Sequence, residues 1–224
     1  MKSAIRNCLL ACACLAVPQL VSAQMMGMGM RPPDVAGVFN PSVGSGSAYE
    51  MVKKATGEKT NFDMAVVDKD SSGGYWMEIS MQNPQMHGPV YVKELLAKQA
   101  DDIVIQHVIV QMQGQPPIDM STMMSMHKMQ SEQSKADFTA NAENLGTESV
   151  ATPAGTFSCQ HWRSKKDGTE VWLSDKVTPW KLVKMINGND TMTLTRIITD
   201  AKTHITGTPV SLQEMMQQHM KRGQ

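Results

Sequence analysis

Short runs of alternating apolar and polar residues, separated by turn residues, recur through most of this chain and limit the folds open to it. In the clearest of them, "GYWMEISMQ", every second residue points to one side of an extended strand, and the apolar set is Tyr75, Met77, Ile79 and Met81. The residues between them, including Glu78, point the other way. A period of two favours strands with one apolar face over helices.

Turn residues between these runs predict that neighbouring strands pair as hairpins. "TGEK" separates "AYEMVKKA" from "NFDMAVV", and "KKDG" and "INGND" separate later runs. The run "DIVIQHVIVQM" is apolar on both sides, which predicts a central strand covered on both faces. The prolines of "GQPPID" end it, because proline cannot continue a central ladder.

Two segments have the spacing of helices. In "SLQEMMQQHMKR", Ser211 and Glu214 form a capping box before an apolar stripe. In "DMSTMMSMHKM", residues 119–129, one helical stripe holds Met120, Met123, Met124 and His127, while Met126 and Met129 fall on the opposite side. Strands interrupted and closed by helices predict an α+β class: one strongly curved antiparallel sheet, a half-barrel, with helices packed on or plugging its concave face.

Residues 146–185, "GTESVATPAGTFSCQHWRSKKDGTEVWLSDKVTPWKLVKM", resemble exported bacterial proteins of the lipoprotein-carrier (LolA/LolB-like) half-barrel type. The shared pattern is a "PAGTF" turn, a strand, a hairpin and a "P-W-x-L-V-K" exit, and the layout extends over most of residues 46–200. The resemblance implies a curved sheet whose concave side accommodates acyl chains or other apolar ligands. No motif allows the carrier's functional residues to be transferred to this chain.

The alternating strands and the resemblance together predict a non-enzymatic, carrier-like protein that holds an apolar small molecule or a lipidated protein between sheet and helices. Unbranched, polarizable methionine suits an adaptable apolar lining. The predicted ligand-binding residues are Tyr75, Met77, Ile79, Met81, Met215 and Met216.

The first residues are typical of a secretory signal peptide, predicted over residues 1–23. Lys2 and Arg6 precede the apolar run "CLLACACLAV", and "VSA" ends at Ala23. The run is shorter than the about 20 residues that cross a membrane. We therefore expect a periplasmic or secreted protein, with lipid attachment at Cys12 as an alternative, a flexible leader over 24–45 and a single domain over 46–224.

Clustered methionine and histidine support a second hypothesis, a periplasmic Cu(I)-binding or copper-buffering protein, because thioether and imidazole both suit copper. Both helical segments carry "MM-x-x-H", in which the sulfur lies one helical turn from the imidazole. The candidate ligands are Met123, Met124, His127, Met215, Met216 and His219. A structural domain that interacts with the cell envelope is a third possibility.

The sequence nominates no enzymatic activity and no other cofactor. It contains no G-x-S-x-G, H-E-x-x-H or phosphate-binding glycine loop. After signal removal, 19 basic and 21 acidic residues remain, a balance that does not favour nucleic acid. Cys159 is then the one cysteine, and its place in the alternating "TFSCQHW" predicts a buried thiol beside a hydrogen-bonded His161. Ligand identity and oligomeric state do not follow from these patterns.

Overall fold

The computed structural model describes residues 38–82, 88–99, 102–121, 142–188, 190–211 and 213–215. These residues form one open sheet of twelve strands. The strands, in chain order, are β1 (Gly46–Lys53), β2 (Lys59–Lys69), β3 (Tyr75–Gln82), β4 (Val90–Gln99), β5 (Asp102–Met112), β6 (Ile118–Asp119), β7 (Ala142–Thr152), β8 (Gly155–Ser164), β9 (Glu170–Leu173), β10 (Leu182–Asn187), β11 (Asp190–Ile198) and β12 (Val210–Ser211).

Two antiparallel meanders make up the sheet, one from β1 to β6 and one from β7 to β11. They join where β1 pairs with β11, so Tyr49 lies opposite Phe62 on one side and Leu194 on the other. β12 adds to the β6 edge as a parallel strand. Register shifts interrupt five strand pairs, and β-bulges of this kind bend the strands and increase their twist.

The predicted α+β class is wrong. Strands make up 61% of the described residues and helices 3%, and none of these helical residues packs on a face of the sheet. The capping box does form, because the Glu214 amide donates to Ser211 Oγ at 3.1 Å and the Ser211 amide donates to Glu214 Oε2 at 2.9 Å. Of the helix that follows it, the structure describes residues 213–215, and Ser211 itself ends β12. The rest of both helical predictions, apart from Asp119 to Ser121, lies outside the described residues.

One face of the sheet, here called the core face, carries Tyr49, Phe62, Met77 and Leu194, all of them buried. A loop over residues 174–181 lies across it. Ser47 Oγ donates to the Thr178 carbonyl at 2.5 Å, and the Tyr49 hydroxyl donates to the Leu182 carbonyl at 2.9 Å. A loop therefore covers this end of the core face.

The opposite face is crossed by the segment 199–209, here called the strap, which leads from β11 to β12. The strap is held by side chains of three strands, Glu78 on β3, Tyr91 on β4 and Gln111 on β5. Glu78 is 3% exposed although it belongs to the polar register of β3. This face, here called the strap face, is therefore covered in part by the chain itself.

The hairpins predicted from turn residues are confirmed, because Gly57, Gly168 and Gly188 occupy turns between paired strands with positive φ. The prediction that β5 is covered on both faces is wrong. β5 pairs with β4 along its length but with only two residues of β6, and Val108 is the one buried hydrophobic residue described on it.

Candidate functional site on the core face

A row of apolar side chains runs across five strands of the core face. Each member lies directly opposite the next, and the row consists of Ile79, Val92, Val110, Ile118 and Val210. Ile79, Val110 and Val210 are only half-buried, whereas Val92 and Ile118 are buried. The core face is therefore filled near Tyr49 and Met77 and partly open along this row, here called the open row.

Glu94 lies on the core face beside the open row. On β4 it shares a side with Val92 and Leu96, and its register partners are Met77 on β3 and Val108 on β5. Both partners are buried apolar side chains. Glu94 itself is half-buried, and burial raises the pKa of its carboxyl to about 7. A carboxyl group in such surroundings marks a candidate binding site.

The ligand-binding residues predicted on β3 share the core face, as expected from their alternation. Met77 and Met81 are buried, and Met77 Sδ accepts a hydrogen bond from Trp180 Nε1 at 3.3 Å. Ile79 is half-buried in the open row. Tyr75 is half-buried and packs edge-on against Phe39 with ring centroids 6.2 Å apart. Of the four, Ile79 is the one within the open row.

The other predicted site residues fall mostly outside the described part of the chain. Met215 is described and half-buried, four residues after Ser211 of β12. Met123, Met124, His127, Met216 and His219 lie outside the described residues, so the copper site stays a prediction. Among the residues that the structure describes, no three His, Cys, Asp or Glu side chains converge as metal ligands.

A second polar cluster joins the strap to the sheet. Glu78 accepts hydrogen bonds from the His204 amide at 2.9 Å, from His204 Nδ1 at 2.7 Å and from Thr203 Oγ1 at 2.5 Å. The His204 ring stacks on Tyr91 with a centroid distance of 4.9 Å. Both oxygens of this carboxylate already accept hydrogen bonds from the strap. The cluster, here called the clasp, is therefore best explained as holding the strap on the sheet.

A third cluster lies on the strap face of β7 to β9, around His161. Its two ring nitrogens each lie 3.0 Å from a carboxylate oxygen, Nδ1 from Glu148 and Nε2 from Glu170, and the ring stacks on Trp172 at 4.2 Å. Arg163 pairs with Glu170 at 2.8 Å, and the Arg163 hydrogen bond is the main cause that lowers the pKa of Glu170. The cluster links three strands.

Cys159 is buried, as the sequence predicted, and is 0% exposed. Burial and the nearby charge of Glu148 raise the pKa of its thiol to about 11. A thiol of this kind is a packing residue with little thiolate at neutral pH. The hydrogen-bonded His161 is confirmed as well.

Sequence reasoning missed Glu94, although a signal was present. In "VYVKELL" the residues on one side are Val90, Val92, Glu94 and Leu96, so an acid occupies an apolar register.

The chain matches no protein-family model and no curated protein sequence. It is similar to several solved structures. One, described as a candidate lipoprotein from Parabacteroides distasonis, is 16% identical, with a TM-score of 0.34 over 73% of this chain and 99% of that one. Another, described as an exported protein with a YmcC-like fold from Bacteroides fragilis, is 12% identical, with a TM-score of 0.35 over 71% and 98%.

MucB is a third similar structure, at 9% identity and a TM-score of 0.40, with 77% of this chain aligned to 60% of MucB. The match thus spans less than two thirds of MucB. The similar structures include proteins described as exported or as a lipoprotein, at low identity, and no function is transferred from them. The carrier family and the signal peptide stay predictions. In the described part of the chain, no helix is long and apolar enough to span a membrane.

Proposed function

We propose that this protein is an exported, non-enzymatic binding protein that holds an apolar ligand or a lipidated partner on the core face of its sheet. The observation that carries the proposal is the open row, in which Ile79, Val110 and Val210 stay half-buried on an otherwise apolar face. Small-molecule sites are mostly apolar surfaces with a few polar groups. Export rests on the signal peptide predicted over residues 1–23.

Methionine next to the open row supports an adaptable site. Met64 lies opposite Ile79 on β2, and Met112 follows Val110 on the same side of β5. Met112 is half-buried, so its thioether is within reach of a ligand. A flexible, polarizable side chain lets one surface fit ligands of different shape.

Calorimetric titration with decanol, a neutral amphiphile, tests this function. We expect the chain to bind decanol, and Val110→Asn to weaken binding by about tenfold or more, because an amide in the open row keeps its water. Leu145→Asn is the matched control, since Leu145 is exposed on β7, away from the row. Absence of decanol binding, or equal weakening by both variants, would refute the proposal.

A further inference from the structure

Glu94 differs from two other glutamates that are buried or half-buried, Glu78 and Glu170, in having no partner among the described residues. Glu78 and Glu170 each accept hydrogen bonds from basic or polar side chains. Glu94 forms no hydrogen bond or ion pair within the described part of the chain. The adjacent Lys93 points to the strap face, where its Nζ lies 5.1 Å from the centre of the Trp76 ring. A half-buried carboxyl without a partner is costly unless a ligand satisfies it.

The carboxyl group of the half-buried Glu94 keeps some contact with solvent. None of the described buried side-chain oxygens or nitrogens lacks a hydrogen-bond partner, so an unpartnered carboxyl must retain some solvent contact. Its surroundings are nevertheless apolar, with Met77 and Val108 opposite it and Val92 and Leu96 on its own strand. An acidic group therefore sits at the surface of an apolar patch.

We propose that Glu94 selects amphiphiles with a cationic amine head group, whose apolar chain lies along the open row. This inference rests on the proposed function and adds the chemistry of the head group. An ammonium group can donate a charge-assisted hydrogen bond to the carboxylate, which is stronger than the bond from a hydroxyl. An ionised carboxylate head would instead be repelled by Glu94, and an apolar setting strengthens both effects.

Because the neighbours of Glu94 are uncharged, its charge determines which ligand head group is preferred here. The described side chains beside it on β3 and β5, Met77, Ile79, Val108 and Val110, carry no charge. On β2 and β4, the charged residues further along the same face are Lys69, whose Nζ lies 5.5 Å from the centre of the Tyr75 ring, and the exposed Lys98. Both are cations and would favour a carboxylate ligand, so an amine preference would point to Glu94.

Three probes with the same chain length, decylamine, decanol and decanoate, test the inference at about pH 8 on the full chain. We expect decylamine to bind about tenfold more tightly than decanol and decanoate to bind less tightly than decanol. Glu94→Gln should bring the three affinities within about twofold of one another, because the charge that separates them is gone. Glu143→Gln, an exposed carboxylate on β7, is the control and should keep the amine preference.

A measurement on the unaltered protein covers the case in which Glu94→Gln does not fold. Decylamine stays protonated throughout, so its preference over decanol should disappear as the pH falls from about 8 to about 5 and Glu94 gains a proton. An amine preference that persists in Glu94→Gln or at low pH would overturn the inference. So would equal binding of amine and alcohol by the unaltered protein. Failure of decanol to bind would instead overturn the proposed function.

Discussion

His204 Nδ1 lies 2.7 Å from Glu78 Oε1, which joins the strap to the centre of a sheet strand 126 residues earlier in the chain. The same carboxylate accepts the His204 amide, so one side chain orients both the backbone and the ring. Gln111 holds the next part of the strap, accepting a hydrogen bond from the Thr206 amide at 2.9 Å. The strap is thus fastened at two separate places.

Replacing Glu78 with alanine should loosen the first fastening of the strap without unfolding the sheet. We expect the His204 amide to exchange hydrogen about 10 to 100 times faster, because hydrogen bonds to a charged acceptor are worth about 1.5–3 kcal/mol. Hydrogen exchange followed by mass spectrometry measures this. Gln111→Ala is the control, since it should affect Thr206 more than His204. Unchanged protection of His204 in Glu78→Ala would contradict the clasp.

Replacing Tyr49 with phenylalanine should destabilise the protein by about 1–2 kcal/mol, because the Leu182 carbonyl loses the hydroxyl donor that it has at 2.9 Å. Burial also raises the pKa of Tyr49, so the hydroxyl stays protonated and able to donate. Chemical denaturation measures the loss. Tyr91→Phe should change stability by less than about 0.5 kcal/mol, since the Tyr91 hydroxyl has no hydrogen bond among the described residues. Equal losses in the two variants would count against a role for the Tyr49 hydroxyl.

Because the pKa of Glu94 is raised, the folded protein should lose stability as the pH rises towards neutrality. Between about pH 4.5, the ordinary value, and about pH 7, the folded state holds a proton that the unfolded state has lost, so stability falls as pH rises through this window. Glu94→Gln cannot lose a proton. It should be more stable than the parent by about 1–3 kcal/mol above this window and similar below it.

Denaturation of the parent, Glu94→Gln and Glu143→Gln across this pH range measures the difference. The Glu143 variant should follow the parent, because its carboxyl is exposed on β7. A Glu94→Gln variant whose stability tracks that of the parent at every pH would show that burial does not hold a proton on Glu94.

The Cys159 thiol should resist alkylation in the folded protein. It is 0% exposed, so the reagent cannot reach the sulfur in the folded protein. Burial also raises its pKa to about 11, so little of the thiol is ionised at neutral pH. Iodoacetamide labelling of the chain starting at Gln24, which has no other cysteine, should proceed at the rate of unfolding. Complete labelling within minutes under native conditions would contradict this prediction, while rapid labelling in denaturant serves as the positive control.

The copper hypothesis predicts Cu(I) binding under reducing conditions that is lost when Met123, Met124, Met215 and Met216 become leucine. Leucine keeps the apolar volume but removes the thioether ligand. Circular dichroism should show the fold intact. Substituting the sheet methionines Met64 and Met192 in the same way is the control and should leave Cu(I) binding unchanged. Binding that survives the first set of substitutions would refute the helical sites.

The sequence allowed the strands and hairpins to be predicted because alternation and turn glycines are local signals. β3 and the turns at Gly57, Gly168 and Gly188 follow from residues close together in the chain. The pairing of β1 with β11 and of β12 with β6 joins distant segments, and no local pattern specifies it. Met77 and Ile79 were placed on the correct face, but which of them is covered depends on Trp180, 103 residues away from Met77.

Helical spacing misled the fold class for a physical reason. A capping box and an apolar stripe show what a segment can form in isolation, but they do not say what surface remains for it to cover. The end of the core face near Tyr49 is covered by the loop over 174–181. Glu94 was missed because a single acid among apolar residues is visible only once the register of β4 is known.

The seam between the two meanders joins Gly46–Lys53 to Asp190–Ile198, from opposite ends of the domain. Each meander can form from hairpins between neighbours, but the seam must wait until the ribosome has released nearly the whole domain. Until then, the free sides of β1 and β10 are unpaired templates for other chains. A fragment that stops before Asp190 should therefore aggregate and not persist as a half-sized sheet, because the pairing of β1 with β11 is the step that completes the sheet.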